Sequence, residues 1–153
     1  MATATTRREF LAAGGVAPLA LVLGGQTGSR DLTAAEQANV DVVNGFCDAW
    51  ATRDASQIAS FLDDDVVFRF TQDADAVTGS ETFRQQAGGF LANASEVRFD
   101  VLETWAVGPL VVNLRVDYFT SPDGQQEFRV AGVFYVSDGK IVEWIDALAP
   151  APA

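Results

Sequence analysis

Between Glu96 and Leu148 the chain reads as four apolar, β-branched runs: Glu96 to Val107, Leu110 to Thr120, Gln126 to Val136 and Lys140 to Leu148. Gly108-Pro109, Ser121-Pro122-Asp123-Gly124 and Ser137-Asp138-Gly139 separate them. Each is a turn sequence, so consecutive runs are antiparallel neighbours. The front of the chain has a different period. Leu32-Thr33 opens a helix, with Thr33 as N-cap and Glu36 completing a capping box. Val40, Val43, Phe46, Cys47 and Trp50 form its buried stripe. Asp54 to Leu62 reads as a second helix, ended by a solvated Asp63-Asp64-Asp65 turn. Val66 to Thr71 reads as the first strand, Gln72 to Thr78 as loop and Ser80 to Leu91 as a third helix. Helices first and strands last predict an α+β fold, its mixed or antiparallel sheet curved around one apolar pocket that the helices cap.

A chain of 153 residues suffices for one domain with a real core. Its net charge of −11 argues against nucleic acid and anionic membranes as partners. It contains no histidine, which removes His-based triads and most zinc sites. The single Cys47 has no partner for an internal disulfide, and its helical spacing to Val43, Phe46 and Trp50 reads as core.

Thr6-Arg7-Arg8-Glu9-Phe10-Leu11, followed by the uncharged run from Leu11 to Gly25, resembles a twin-arginine export signal. The run is short and rich in Gly and Ala for a membrane span. We therefore expect a signal over residues 1–29, a single α+β domain over 30–150, and a periplasmic or extracellular destination.

Two short patterns carry the chemistry. Arg115-Val116-Asp117 and Trp144-Ile145-Asp146 each lie in a strand-like run. Side chains alternate faces along a strand, so Arg115 shares a face with Asp117, and Trp144 with Asp146. If both pairs face inward, two carboxylates and one guanidinium meet in apolar surroundings. Burying charge without partners is very costly. Such a cluster is either a structural ion-pair network or an acid/base site.

The passage Phe61-Leu62-Asp63-Asp64-Asp65-Val66-Val67-Phe68, the Arg115-Val116-Asp117 motif, Gly132-Val133-Phe134, Asp138-Gly139-Lys140-Ile141 and Trp144-Ile145-Asp146 follow in an order that resembles the limonene epoxide hydrolase family. That family belongs to a superfamily of cone-shaped α+β barrels with ketosteroid isomerases and polyketide cyclases. The resemblance spans about Ala35 to Leu148. It implies a one-step push–pull without metal or organic cofactor: Asp146 as general base on water, Asp117 as general acid on the epoxide oxygen, and Arg115 between them. It also implies a homodimer paired through the open face of the sheet.

The chain departs from the family at two positions. Where the family holds its water with a Tyr and an Asn on the first strand, this sequence has Phe68 and Phe70. A buried water wants about 2–4 polar partners. Alternation turns Tyr118 away from Asp117 and Tyr135 away from Phe134, leaving Gln72 and Asn113 as candidates to position a water. Phe68, Phe70, Phe128, Val130, Phe134 and Trp144 would line a pocket for an epoxide, terpenoid, polyketide or steroid-like molecule. Two readings follow: an acid/base enzyme on an apolar epoxide or related isomerase/cyclase substrate, or an exported binding or interaction module of the same fold.

Export should depend on the guanidinium pair rather than on charge. Replacing Arg7 and Arg8 by lysine should leave the precursor in the cytoplasm in a fractionation assay. Unchanged secretion of that double variant would overturn the expected destination.

Overall fold

The computed structural model describes residues 30–149; the expected signal over 1–29 and Pro150 lie outside them. Helix α1 spans Ala34–Ala49 and begins on the anticipated capping box. The Glu36 amide donates to Thr33 Oγ1 at 3.2 Å, and the Thr33 amide donates to Glu36 Oε2 at 2.8 Å. The other Glu36 oxygen accepts the Gly108 amide at 2.9 Å, and Asn39 donates to the Gly108 carbonyl at 3.0 Å. One cap thus also ties α1 to a turn of the sheet.

A 3-10 turn, Trp50–Thr52, leads to Arg53 in the left-handed region. Asp54 then caps α2, which covers only Ala55–Ala59. The predicted helix to Leu62 stops early because the sheet claims its end. The Phe61 carbonyl accepts the Ile141 amide at 2.9 Å, and Leu62 pairs with Ile141.

Strand β1 accordingly runs Leu62–Arg69, earlier than the predicted Val66 to Thr71. The acidic run lies inside it rather than in a turn before it. Leu62 pairs with Ile141 but Val67 pairs with Glu143, so the acidic residues sit in an irregular stretch between two paired ends. Asp64 and Asp65 are exposed there, which lets a strand carry three adjacent carboxylates without burying them. Strand β2, Val77–Thr78, adds a two-residue pairing to β1 where loop was expected.

Helix α3, Ser80–Leu91, buries Phe83, Ala87 and Leu91. Strands β3 (Glu96–Val107), β4 (Leu110–Ser121), β5 (Gly124–Ser137) and β6 (Lys140–Leu148) follow as antiparallel neighbours. The sheet order is β2-β1-β6-β5-β4-β3, with β1 parallel to β6. The fold is α+β, with an open six-stranded mixed sheet and helices at the front of the described chain.

The helices cover one face of this sheet. Phe46 of α1 sets its ring edge-on to Trp50, Phe134 and Trp144, at centroid distances of 6.1, 5.9 and 5.1 Å. Phe83 of α3 joins them, 5.9 Å from Trp144. Edge-to-face contacts of this kind add about 0.5–1.5 kcal/mol each beyond area burial. The aromatic cluster surrounds the Trp144 ring, whose indole N–H points to Asp146.

Candidate active site

Strand alternation delivers three polar side chains of β4 to the interior in a row. Asn113, Arg115 and Asp117 are all buried, and Asp146 of β6 is buried with them. Arg115 Nε donates to both Asp117 oxygens, at 2.8 and 3.1 Å. Its Nη2 donates to Asp146 Oδ2 at 2.6 Å. The second Asp146 oxygen accepts the Trp144 indole N–H at 2.7 Å. The Phe99 ring covers the guanidinium at 5.0 Å. Both pairs face inward, and the two motifs therefore meet in one cluster.

The electrostatics separate the members. Burial pushes the Asp117 carboxyl up to about 7, with Arg115 pulling against it and Asp146 adding to the rise. Burial also raises Asp146, opposed by Arg115 and by the Trp144 N–H. Burial works against the Arg115 charge, but Asp146 and Asp117 outweigh it and hold the guanidinium cationic. One cation cannot neutralise two carboxylates, so the trio favours one shared proton. Asp146 has a charged or polar donor on each oxygen, whereas both Asp117 oxygens lean on the single Nε–H. That asymmetry in donors favours the proton on Asp117.

Asp117 and Asp146 open into a cavity of about 470 Å³. Phe70, Phe128, Val130 and Trp144 line it, as the sequence suggested. Phe68 and Phe134 stand behind that wall instead: each is fully buried, and each stacks on Trp144, at 6.0 and 6.2 Å. The two positions proposed to hold water are otherwise engaged. Gln72 accepts the Leu148 amide at 2.9 Å, and Asn113 accepts from Arg115 Nη1 at 3.1 Å while donating to Cys47 Sγ at 3.4 Å.

The sequence reading missed the opposite wall, built by Trp50, Phe99, Phe119 and the α3 residues Gln86, Ala87 and Phe90. Phe99 and Phe119 carried a usable signal. Phe119 follows Asp117 by two residues on the same face, and Phe99 pairs directly across from Asp117. Burial pushes the Cys47 thiol up to about 12, which suits packing rather than nucleophilic chemistry. Among the described residues no group of three His, Cys, Asp or Glu could hold a metal ion.

The profile of the SnoaL-like domain matches residues 43–144, about two thirds of the sequence. The chain belongs to the SnoaL-like family. Solved structures of the same NTF2-like cone fold agree with that placement. An LEH-like epoxide hydrolase from M. tuberculosis superposes with a TM-score of 0.68 at 22% identity, over 74% of this chain and 84% of that one. A protein named as a SnoaL-like polyketide cyclase from Jannaschia sp. gives 0.68 at 17% identity, over 78% and 91%. The epoxide hydrolase/cyclase-like enzyme SalBIII, of salinomycin pyran-ring formation, gives 0.68 at 16% identity, over 74% and 92%. At these identities the likeness establishes the SnoaL-like fold alone. Among curated proteins, none matches the sequence.

The raised Asp117 has a consequence for stability. An unfolded Asp releases its proton near 4, while folded Asp117 keeps it up to about 7. The stability this proton contributes is therefore complete below about 4 and is lost as pH rises through about 7. The unfolding free energy of wild type minus that of Asp117→Asn should fall across this window in urea titrations. A difference independent of pH would refute the raised ionisation.

Proposed function

We propose that this SnoaL-like protein is an acid/base enzyme that opens an epoxide on an apolar substrate without a cofactor. The observation that carries the reading is the placement of Arg115 between Asp117 and Asp146 at the polar end of an otherwise aromatic cavity. Ionised Asp146 would take a proton from the attacking water as its oxygen bonds to an epoxide carbon. The carbon–oxygen bond breaks, its electron pair goes to the epoxide oxygen, and Asp117 supplies the proton. Two hydroxyls result, and the proton returns from Asp146 to Asp117 through solvent. The names of the epoxide hydrolase-like relatives support the same chemistry for this chain.

A second reading is favoured by one feature of the wall. Phe70 lines the cavity, and the polar side chains there besides the two carboxylates and the indoles of Trp50 and Trp144 are Thr71 and Gln86. Such a lining suits reactions that capture no water, such as attack by a hydroxyl of the substrate itself, or proton abstraction beside a carbonyl. Product analysis on a panel of apolar epoxides and hydroxy-epoxides separates these outcomes. No turnover with persistent binding would instead assign a ligand-binding module.

Asp146→Asn and Asp117→Asn should each lower kcat by roughly 10²–10⁴. Melting must be followed beside rate, because breaking a buried ion pair costs about 3–5 kcal/mol. Phe68→Tyr/Phe70→Asn should raise hydrolysis if water positioning limits it; an unchanged rate would leave the non-hydrolytic reading.

We also infer that the partner is a second copy of this chain, seated on the uncovered face of the sheet. Trp105, Val107, Leu114 and Tyr135 are exposed on the outward side of β3, β4 and β5, with Leu102 beside them. Contiguous apolar surface of this kind marks an interface. Sedimentation equilibrium should give a dimer, and Trp105→Asp/Leu114→Asp a monomer. A wild type that stays monomeric at high micromolar concentration would sink the idea.

A further inference from the structure

Arg115 reaches farther than its own strand position suggests. On β4 it stands opposite Val130, yet its Nη2 contacts Asp146 on β6, with β5 between them. The path leads over Gly132, which pairs with Asn113 on one side and Asp146 on the other. Gly132 is buried, and the guanidinium occupies the space where its side chain would be. A Cβ there would fall inside contact distance of Arg115 Nη1, and within 2.6 Å of Phe134 Cε2 and 2.7 Å of Asn113 Oδ1. The slot admits the guanidinium but does not orient it.

Orientation needs a separate cause. A guanidinium beside a carboxylate favours two parallel N–H···O bonds from one edge. Arg115 does not settle that way: its Nε serves Asp117, its Nη2 serves Asp146, and its Nη1 turns to Asn113 Oδ1 at 3.1 Å. The Asn113 amide is itself held, because its Nδ2 donates to Cys47 Sγ on α1 at 3.4 Å. That bond leaves Oδ1 facing the arginine. Remove this acceptor, and Nη1 is free to join Nη2 on Asp146 as a bidentate pair, drawing Nε away from Asp117.

We propose that Asn113 is the positioning residue of this site: braced by Cys47, it holds the Arg115 guanidinium in the Gly132 slot so that one cation serves both carboxylates. Asn113 touches neither carboxylate and acts only through Arg115. The proposal rests on the acid/base reading of the trio, since only a site needs Asp117 and Asp146 to share one cation at fixed distances. The charged and titratable groups that face Asp117 are Arg115 on its own strand, Asp146 on β6 and Cys47 on α1. Asn113 adds no charge among them, so any effect of removing it on Asp117 must come through movement of Arg115.

The test follows the Asp117 carboxyl by ¹³C NMR across pH in the wild type, Asn113→Leu, Asn113→Ser and Cys47→Ser. In Asn113→Leu the Asp117 midpoint should move upward from about 7, because the neutralising Nε–H has left it. Asn113→Ser, the milder change if the leucine variant fails to fold, should move it the same way. Cys47→Ser keeps an acceptor for the amide and should leave the midpoint in place. If Asn113→Ser folds, melts lower and titrates like the wild type, Asn113 is only a core residue and the proposal is overturned. Where a substrate is known, the Asn113 variants should lose tenfold or more in kcat with little change in KM. The titration requires no turnover, so a failed substrate screen counts against the proposed reaction and not against this positioning.

Discussion

Two carboxylates share one guanidinium in the interior of this protein, and much of the surrounding structure serves that arrangement. A buried charge is tolerated only with partners at close range. Here the partners number fewer than the charges require, so a proton must make up the difference. That shortage turns an ion-pair cluster into a group able to give and take protons near neutral pH. A second cation would have made the cluster an inert brace. An apolar pair in place of the carboxylates could have packed as well and would have no proton to exchange.

The fold supplies the geometry by simple means. Alternation along β4 brings Asn113, Arg115 and Asp117 to one face, and the register of β5 places a glycine in the middle of the arginine's path. The indole of Trp144 lies between Phe68 and Phe134, with interplanar angles of 20° and 3°. Its N–H is thereby held on Asp146. These aromatic residues face the carboxylate only through that one nitrogen, and their weight is in keeping it still. The wall toward α3 is built from other side chains, Gln86, Ala87 and Phe90 among them.

Much of this was legible in the chain. The pairs Arg115/Asp117 and Trp144/Asp146 could be put on one face because the strand period is two and the flanking runs are unambiguous. The capping box of α1 was legible for the same local reason. What could not be read was long-range. Asp63 to Asp65 look like a turn locally, but the demand of Ile141 for a backbone partner draws Leu62 into the sheet and leaves the acids in an irregular strand. Phe68 and Phe134 share the site's face, yet their depth behind Trp144 depends on where α1 and α3 come to rest. Gln72 and Asn113 looked free because their partners, Leu148 N–H, Arg115 and Cys47, lie on other elements.

The position of β6 also bears on how the molecule reaches its folded state. Among the described strands it is the last in sequence but an inner strand in space, with β1 on one flank and β5 on the other. The hairpins from β3 to β6 can form from neighbouring residues, whereas the parallel pairing of β1 closes a loop of more than seventy residues. Long-range parallel pairing is slow relative to hairpin formation. The β1–β6 pairing, and with it the stacking of Phe68 on Trp144, is therefore the longest closure that this flank of the sheet requires. Asp146 and Arg115 are joined through two successive hairpins, whereas the strand on the other flank of Asp146 comes from the distant front of the domain.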